Sequence, residues 1–177
     1  MSRRVLTCRD ASVPPVTTVT TVLRCGPDDW ALARAVRLAS VRDSFGEDSE
    51  FFREQAGLEE AAWRRVLSEH ARFAAYAGDR PAGAVCWRPQ GPPEAGDGLL
   101  YGMWVHPDLR GTGLAARLVD AVVAVAREHR ARRLSLKVEP GNGRARAFYA
   151  KTGFRELEPT DGDGGALVVM VRSLAPG

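Results

Sequence analysis

Between an apolar run, "LLYGMWV", and an amphipathic stretch, "LAARLVDAVVAVAREH", the chain places Pro107 and then Arg110-Gly111-Thr112-Gly113. This junction constrains the fold more than any other part of the sequence. Leu114, Leu118, Val122, Val125 and His129 recur at i, i+4, i+8, i+11 and i+15, so the helix has one apolar face that a sheet must cover. An extended segment therefore turns into a core helix through two glycines one residue apart. Glycines this dense at a helix start mean that a backbone comes close to something.

Three readings of the junction are open on the residues alone. The glycines can serve a tight strand-to-helix turn and nothing more. Gly111-x-Gly113-x-x-Ala116 also fits a dinucleotide fingerprint, with Glu139 ending the next predicted strand at roughly the ribose-binding spacing. The third is a pyrophosphate cradle of another fold, in which the N–H groups of Gly111 to Ala115 and the helix N-terminus face a diphosphate beside Arg110. Two features weigh against the dinucleotide fold. Pro107 to Arg110 intervene between strand and glycines, and too little chain follows Ala116 to complete a doubly wound sheet. No Gly-Lys-Ser/Thr is present, which excludes a P-loop.

The rest of the chain predicts α+β architecture. Residues 1–15 are polar and contain proline, and read as a tail; residues 16–177 suit one domain. Strands are expected over Val16–Arg24, either side of the Gly78–Pro81 turn, over Leu99–Val105, over Leu134–Val138, and as a closing pair "FRELE" and "ALVVMV" joined by "DGDGG". Helices are expected over Trp30–Val41, with Leu32, Val36 and Ala39 on one face, over Leu58–Glu69, after Gly113, and after an Asn142 cap. Arg42–Gln55 reads as a loop with a short helix.

Composition narrows the partners. At 45% hydrophobic and 27% charged residues the chain is an ordinary globular one, not a disordered one. No apolar run is long enough for a membrane span or a signal peptide, so no membrane partner is expected. A net charge of +3 does not demand nucleic acid, but suits a small anionic ligand on a local basic patch. Cys8, Cys25 and Cys86 form no Cys-x-x-Cys pair, which argues against a disulfide framework or a metal site and for a reducing cytoplasm.

Arg110-Gly111-Thr112-Gly113-Leu114-Ala115 resembles the Arg/Gln-x-x-Gly-x-Gly/Ala signature of the GNAT superfamily of acyl-CoA-dependent N-acyltransferases. Downstream, "NGRARAFYAKTGF" is similar to that family's Asn-x-x-Ala-x-x-Phe-Tyr-x-x-x-Gly-Phe stretch, at the family's distance from the first motif. The resemblance implies a mixed, mostly antiparallel sheet of about seven strands, splayed between the fourth and fifth and flanked by about four helices. It implies acetyl-CoA in that gap, as a cosubstrate and without a metal. The backbone of Met103, Trp104 and Val105 would meet the pantetheine arm. Arg110, Gly111, Thr112, Gly113, Leu114, Ala115 and Ala116 would meet the diphosphate, with Asn142 and Tyr149 also near the cofactor. Tyr149, seven residues after Asn142, matches the family's proton donor to the leaving thiolate.

The base is where this chain departs from its relatives. "LLYGMWV" has no carboxylate where some members carry Glu, and Lys137 stands where members acting on protein N-termini can carry one. Glu139, the carboxylates of Asp43–Glu54, His106 or water remain as candidates. Those carboxylates lie beside Phe45, Phe51 and Phe52, a combination suited to a cationic amine or simply to an acidic loop over an apolar lid. Trp87, Tyr101 and Trp104 floor the pocket or belong to the core. The expected activity is direct acetyl transfer to a primary amine of a small molecule or peptide. The alternatives are a non-catalytic acyl-CoA-binding domain and a member acetylating aminoacyl-tRNA. Both monomer and homodimer fit, the apolar "ALVVMV" strand offering a way to pair or swap.

Overall fold

The computed structural model describes residues 20–157 and 167–174. The expected tail over 1–15, the start of the first strand before Thr20, and the "DGDGG" turn lie outside the described residues.

Seven strands form one sheet. They are β1 (Thr20–Cys25), β2 (Ala71–Ala77), β3 (Arg80–Gln90), β4 (Asp97–Val105), β5 (Arg133–Val138), β6 (Arg155–Glu156) and β7 (Val168–Ser173), arranged β1-β2-β3-β4-β5-β7-β6. All neighbours are antiparallel except β4 and β5. Five helices connect them: α1 (Trp30–Phe45), α2 (Glu50–Gly57), α3 (Glu60–Glu69), α4 (Leu114–Glu128) and α5 (Gly143–Lys151). The expected loop over Arg42–Gln55 is thus mostly helical. α1 runs on to Phe45, and α2 starts at a Ser49 cap whose side chain accepts from the Phe52 N–H.

Helices cover the sheet on both faces, and the strands record this in their composition. In β2, Phe73 and Ala75 join the core under α4, while Ala74 and Tyr76 join a second core under α1 and α3. A strand buried on both faces needs an unbroken apolar run, and "FAAYA" is one. Leu114, Leu118, Val122 and Val125 of α4 are all buried, as their spacing predicts. His129, the last of that row, closes the helix: its ring lies 4.6 Å from that of Trp87 and its Nδ1 lies 2.9 Å from the Val125 carbonyl. On α1, Val36 and Ala39 face the second core as expected, but Leu32 is exposed, and Ala33, Ser40 and Val41 turn inward.

The feature that shapes the molecule is the parting of β4 from β5. They pair only over Asp97–Leu99 with Arg133–Ser135. Beyond Leu99, β4 stays with β3 and β5 stays with β7. An extra residue explains the divergence. Between Ala84 and Cys86 of β3, β4 runs from Trp104 to Tyr101, three steps against two, with Gly102 at φ +63°. Such a bulge bends its strand and raises the local twist, and it carries β4 away from a neighbour that has none. The C-terminal strand is held inside the sheet between β5 and β6, so in this chain it is already paired on both edges. Among the described residues, no helix is long and apolar enough to cross a membrane.

Truncating a fully buried side chain at the α4–sheet contact tests this packing. Leu118→Ala is expected to lower unfolding free energy by about 3 kcal/mol in a urea melt, whereas Leu32→Ala stays within about 0.5 kcal/mol.

Candidate functional site

The parting strands open a cleft of about 790 Å³. Its floor is the unpaired side of β4 at Met103, Trp104 and Val105; one wall is the junction from Leu109 to Ala116, and the other is α5 from Asn142 to Lys151. The sequence thus brings Met103, Trp104, Val105, Arg110, Gly111, Gly113, Ala115, Ala116 and Asn142 to one cavity. Thr112 and Leu114 serve the same loop differently. The Thr112 hydroxyl donates to the Leu109 carbonyl at 2.7 Å, closing the turn, and the Leu114 side chain is buried in the core.

The junction's shape follows from its glycines. Gly111 and Gly113 stand at φ +89° and +88°, a region that costs an L-residue about 1–2 kcal/mol. A Cβ built at either position meets nothing within 4 Å. The glycines therefore answer to backbone conformation, and the space in front of them is open. Behind them α4 begins, and the N–H groups of Leu114, Ala115 and Ala116 in its first turn have no acceptor within the helix. Together these make an anion cradle with a helix dipole behind it.

Charges at the rim agree in sign. Arg144 and Lys151, exposed on α5, line the cleft together with Phe148, at i, i+4 and i+7 of one helical face. The motif match singles out Asn142 and Tyr149 and passes over these two cations; the helical spacing forward from the Asn142 cap was the signal for them. Asn142 caps α5, its Oδ1 accepting from the Ala145 N–H at 3.0 Å. Arg110 is not a free cation. Its Nη2 donates to Asp43 Oδ2 at 2.7 Å and its Nε to the Val105 carbonyl at 3.0 Å. The same Asp43 oxygen accepts from Trp104 Nε1 at 2.9 Å. A carboxylate from α1 thus ties the floor of the cleft to its wall.

Of the candidate bases, Asp43 alone lines the cleft. Glu139 is exposed, and Glu47 pairs with Arg42 at 3.0 Å. His106 Nδ1 accepts from the Asp108 N–H at 3.3 Å. Two of the three aromatic rings of the 43–54 stretch are taken by the chain's own cations, Arg37 over Phe51 and Arg42 over Phe52, and Phe45 stands edge-on to Phe51. Tyr149 sits beneath the cleft wall rather than on it, buried between Phe148 and Phe154. Burial pushes its phenol up to about 12, so it holds its proton throughout the neutral range. Trp87 belongs to the core; Tyr101 lines a different cavity, under α1.

A family model described as "Acetyltransferase (GNAT) family" matches residues 38–154. An uncharacterised N-acetyltransferase of Mycobacterium tuberculosis is 45% identical over 56 residues, covering 32% of this chain and 36% of that protein. Mycothiol acetyltransferase of Beutenbergia cavernae is 40% identical over 62 residues, covering 35% of this chain and 21% of its own. The matched segments therefore span only about a fifth to just over a third of these curated relatives. Among solved structures, PaiA N-acetyltransferase from Thermoplasma acidophilum, in complex with coenzyme A, superposes with a TM-score of 0.68 at 14% identity. That likeness covers 88% of this chain and 99% of the other, and it shows the fold.

All three tyrosines (Tyr76, Tyr101 and Tyr149) are pushed up to about 12, chiefly by burial. A raised folded-state value favours the fold fully below the unfolded value near 10, and that contribution is lost as pH climbs from 10 through 12. A tyrosinate absorbance titration is expected to stay flat to about pH 11 and then rise together with loss of the folded CD signal. Gly113→Ala is expected to lower stability by about 1–2 kcal/mol through backbone strain, read in the same urea melt.

Proposed function

The chain belongs to the GNAT acetyltransferase family, and from that premise we propose that it transfers an acetyl group from acetyl-CoA directly to a primary amine. The observation that carries the proposal is the coincidence of the cradle and the strand gap in one cleft. In this reading residues 16–177 act as one transferase domain behind a tail over 1–15, and buried free thiols at Cys25 and Cys86 suit a reducing, cytoplasmic setting.

The residues fit the cosubstrate. A diphosphate would take the N–H groups from Gly111 to Ala116, with Arg144 and Lys151 at the rim for the remaining phosphate charge. The backbone of Met103 to Val105, unpaired on its β5 side, would pair with an extended amide-bearing arm. When bound, the thioester supplies an acyl group to a neutral amine. A fixed N–H near Val105 would stabilise the oxygen on which charge develops. Asp43 would act as a positioning residue, because one of its oxygens already holds Trp104 and Arg110.

Tyr149 would donate its proton to the departing thiolate, whose ordinary pKa near 8.5 makes the demand small, and would regain one, relayed through water, from the nitrogen that the attacking amine leaves positively charged. The burial of its ring also favours a second reading, a non-catalytic acyl-CoA-binding domain. Thiol release from acetyl-CoA, measured across amines, amino acids, aminoglycosides and peptides, separates the two. Tyr149→Phe is expected to lower kcat about 100-fold while CoA affinity, measured by calorimetry, stays unchanged. Absence of turnover with every acceptor class, with CoA still bound, would establish the binding domain instead.

A further inference from the structure

Beneath α1, on the face of the sheet opposite α4, lies a second cavity of about 80 Å³. Two guanidiniums line it, Arg37 from α1 and Arg72 from β2. Neither has a carboxylate partner among the described residues. Arg37 Nε donates to Gln55 Oε1 at 3.1 Å, and its guanidinium lies over the Phe51 ring. Arg72 stacks over Trp63, and its Nε is buried with no hydrogen-bond acceptor. By contrast, Arg64, Arg110, Arg133 and Arg146 each reach a carboxylate at 2.7 Å. The two cations also feel one another. Burial, and then the neighbouring Arg72, lower the Arg37 pKa. Two half-buried like charges around a void, one with an orphaned donor, form a site that an anion completes.

The void lies next to the cleft of the candidate site. Its wall includes Tyr101 and Gly102 of β4, immediately before Met103 on the floor of the acetyl-transfer cleft. It also includes Ser40 of α1, one turn before Asp43 and Ser44, which line that cleft. The cavity thus follows the same two elements, away from the Gly111–Ala116 cradle. Its volume, against about 30 Å³ for a water molecule in the liquid, admits a carboxylate and a carbon or two. The planar fork of a guanidinium matches a carboxylate with two parallel hydrogen bonds.

We propose that Arg37 and Arg72 receive the carboxylate of the acyl acceptor, so that the acceptor is a small amino acid or a close analogue whose amine points toward Met103. This rests on the transferase reading above. It predicts that Tyr101 and Ser40 flank the bound acceptor and that specificity lies in charge rather than in an aromatic cage.

Matched acceptors provide the test: amino acids, their carboxamides, their decarboxylated amines and their aminophosphonate analogues, all scored by thiol release from acetyl-CoA. Amino acids are expected to exceed the amides and amines at least tenfold in kcat/KM. Arg72→Met and Arg37→Met are expected to raise KM for the amino acid more than tenfold, with CoA affinity unchanged. Arg72→Lys, which keeps the charge without the fork, should fall between and serves if the methionine variant fails to fold. In parallel, N-acetylglycine and N-acetylalanine are titrated calorimetrically into the CoA-loaded protein and its Arg72 variants. Equal turnover of amides and amines would overturn this inference and leave the transferase reading standing. A preference for aminophosphonates would overturn the carboxylate assignment. Arg72-dependent binding of the N-acetyl amino acids without any turnover would uphold the anion site and sink the transferase reading. Neither binding nor turnover would sink both.

Discussion

Everything at the candidate site follows from one broken ladder. A parallel pair of strands gains stability with each residue that stays in register, yet β4 and β5 stay together for only three pairs. The bulge at Gly102 supplies the mechanical cause, and its position decides which backbone groups lose a partner. Trp104 and Val105 keep β3 on one edge, Met103 lies within the bulge, and all three line the open cleft. An unpaired strand edge inside a folded protein is normally a liability. Here the edge lies in a cleft between the glycine junction and α5.

Asp43 extends that argument into electrostatics. Its carboxylate reaches across from α1 to hold an indole and a guanidinium, so the floor and wall of the cleft are set by a residue far away in sequence. The arrangement also assigns a different job to Arg110 than its place in the glycine motif implies. Its charge is answered from within the chain, whereas Arg144 and Lys151 stand exposed at the rim of the cleft.

Much of this was readable in the sequence, for physical reasons. A 3.6-residue period, paired glycines and an asparagine cap are local signals, and α4, the junction and α5 form where those signals lie. The unbroken apolar run of β2 is a local signal of the same kind, matching a strand buried on both faces. Long-range matters were illegible. Nothing near Asp43 in the sequence says that it meets Trp104 and Arg110, 61 and 67 residues away. Nor does the acidic, aromatic stretch 43–54 reveal that Arg37 and Arg42 already occupy two of its rings. On α1, Val36 and Ala39 face inward as expected and Leu32 does not, because the apolar residues are spaced loosely enough to fit two orientations and the sheet chose the one that buries Ser40.

The place of β7 has a consequence for how such a chain is made. It is synthesised after β5 and β6, yet it lies between them and gives β5 its second edge. A nascent chain emerging from the ribosome can therefore assemble β1 to β5 with their helices while β5 remains bare on its outer side. The sheet closes only when the last strand slots into place, and until then a row of unanswered amides invites the neighbouring polysome product.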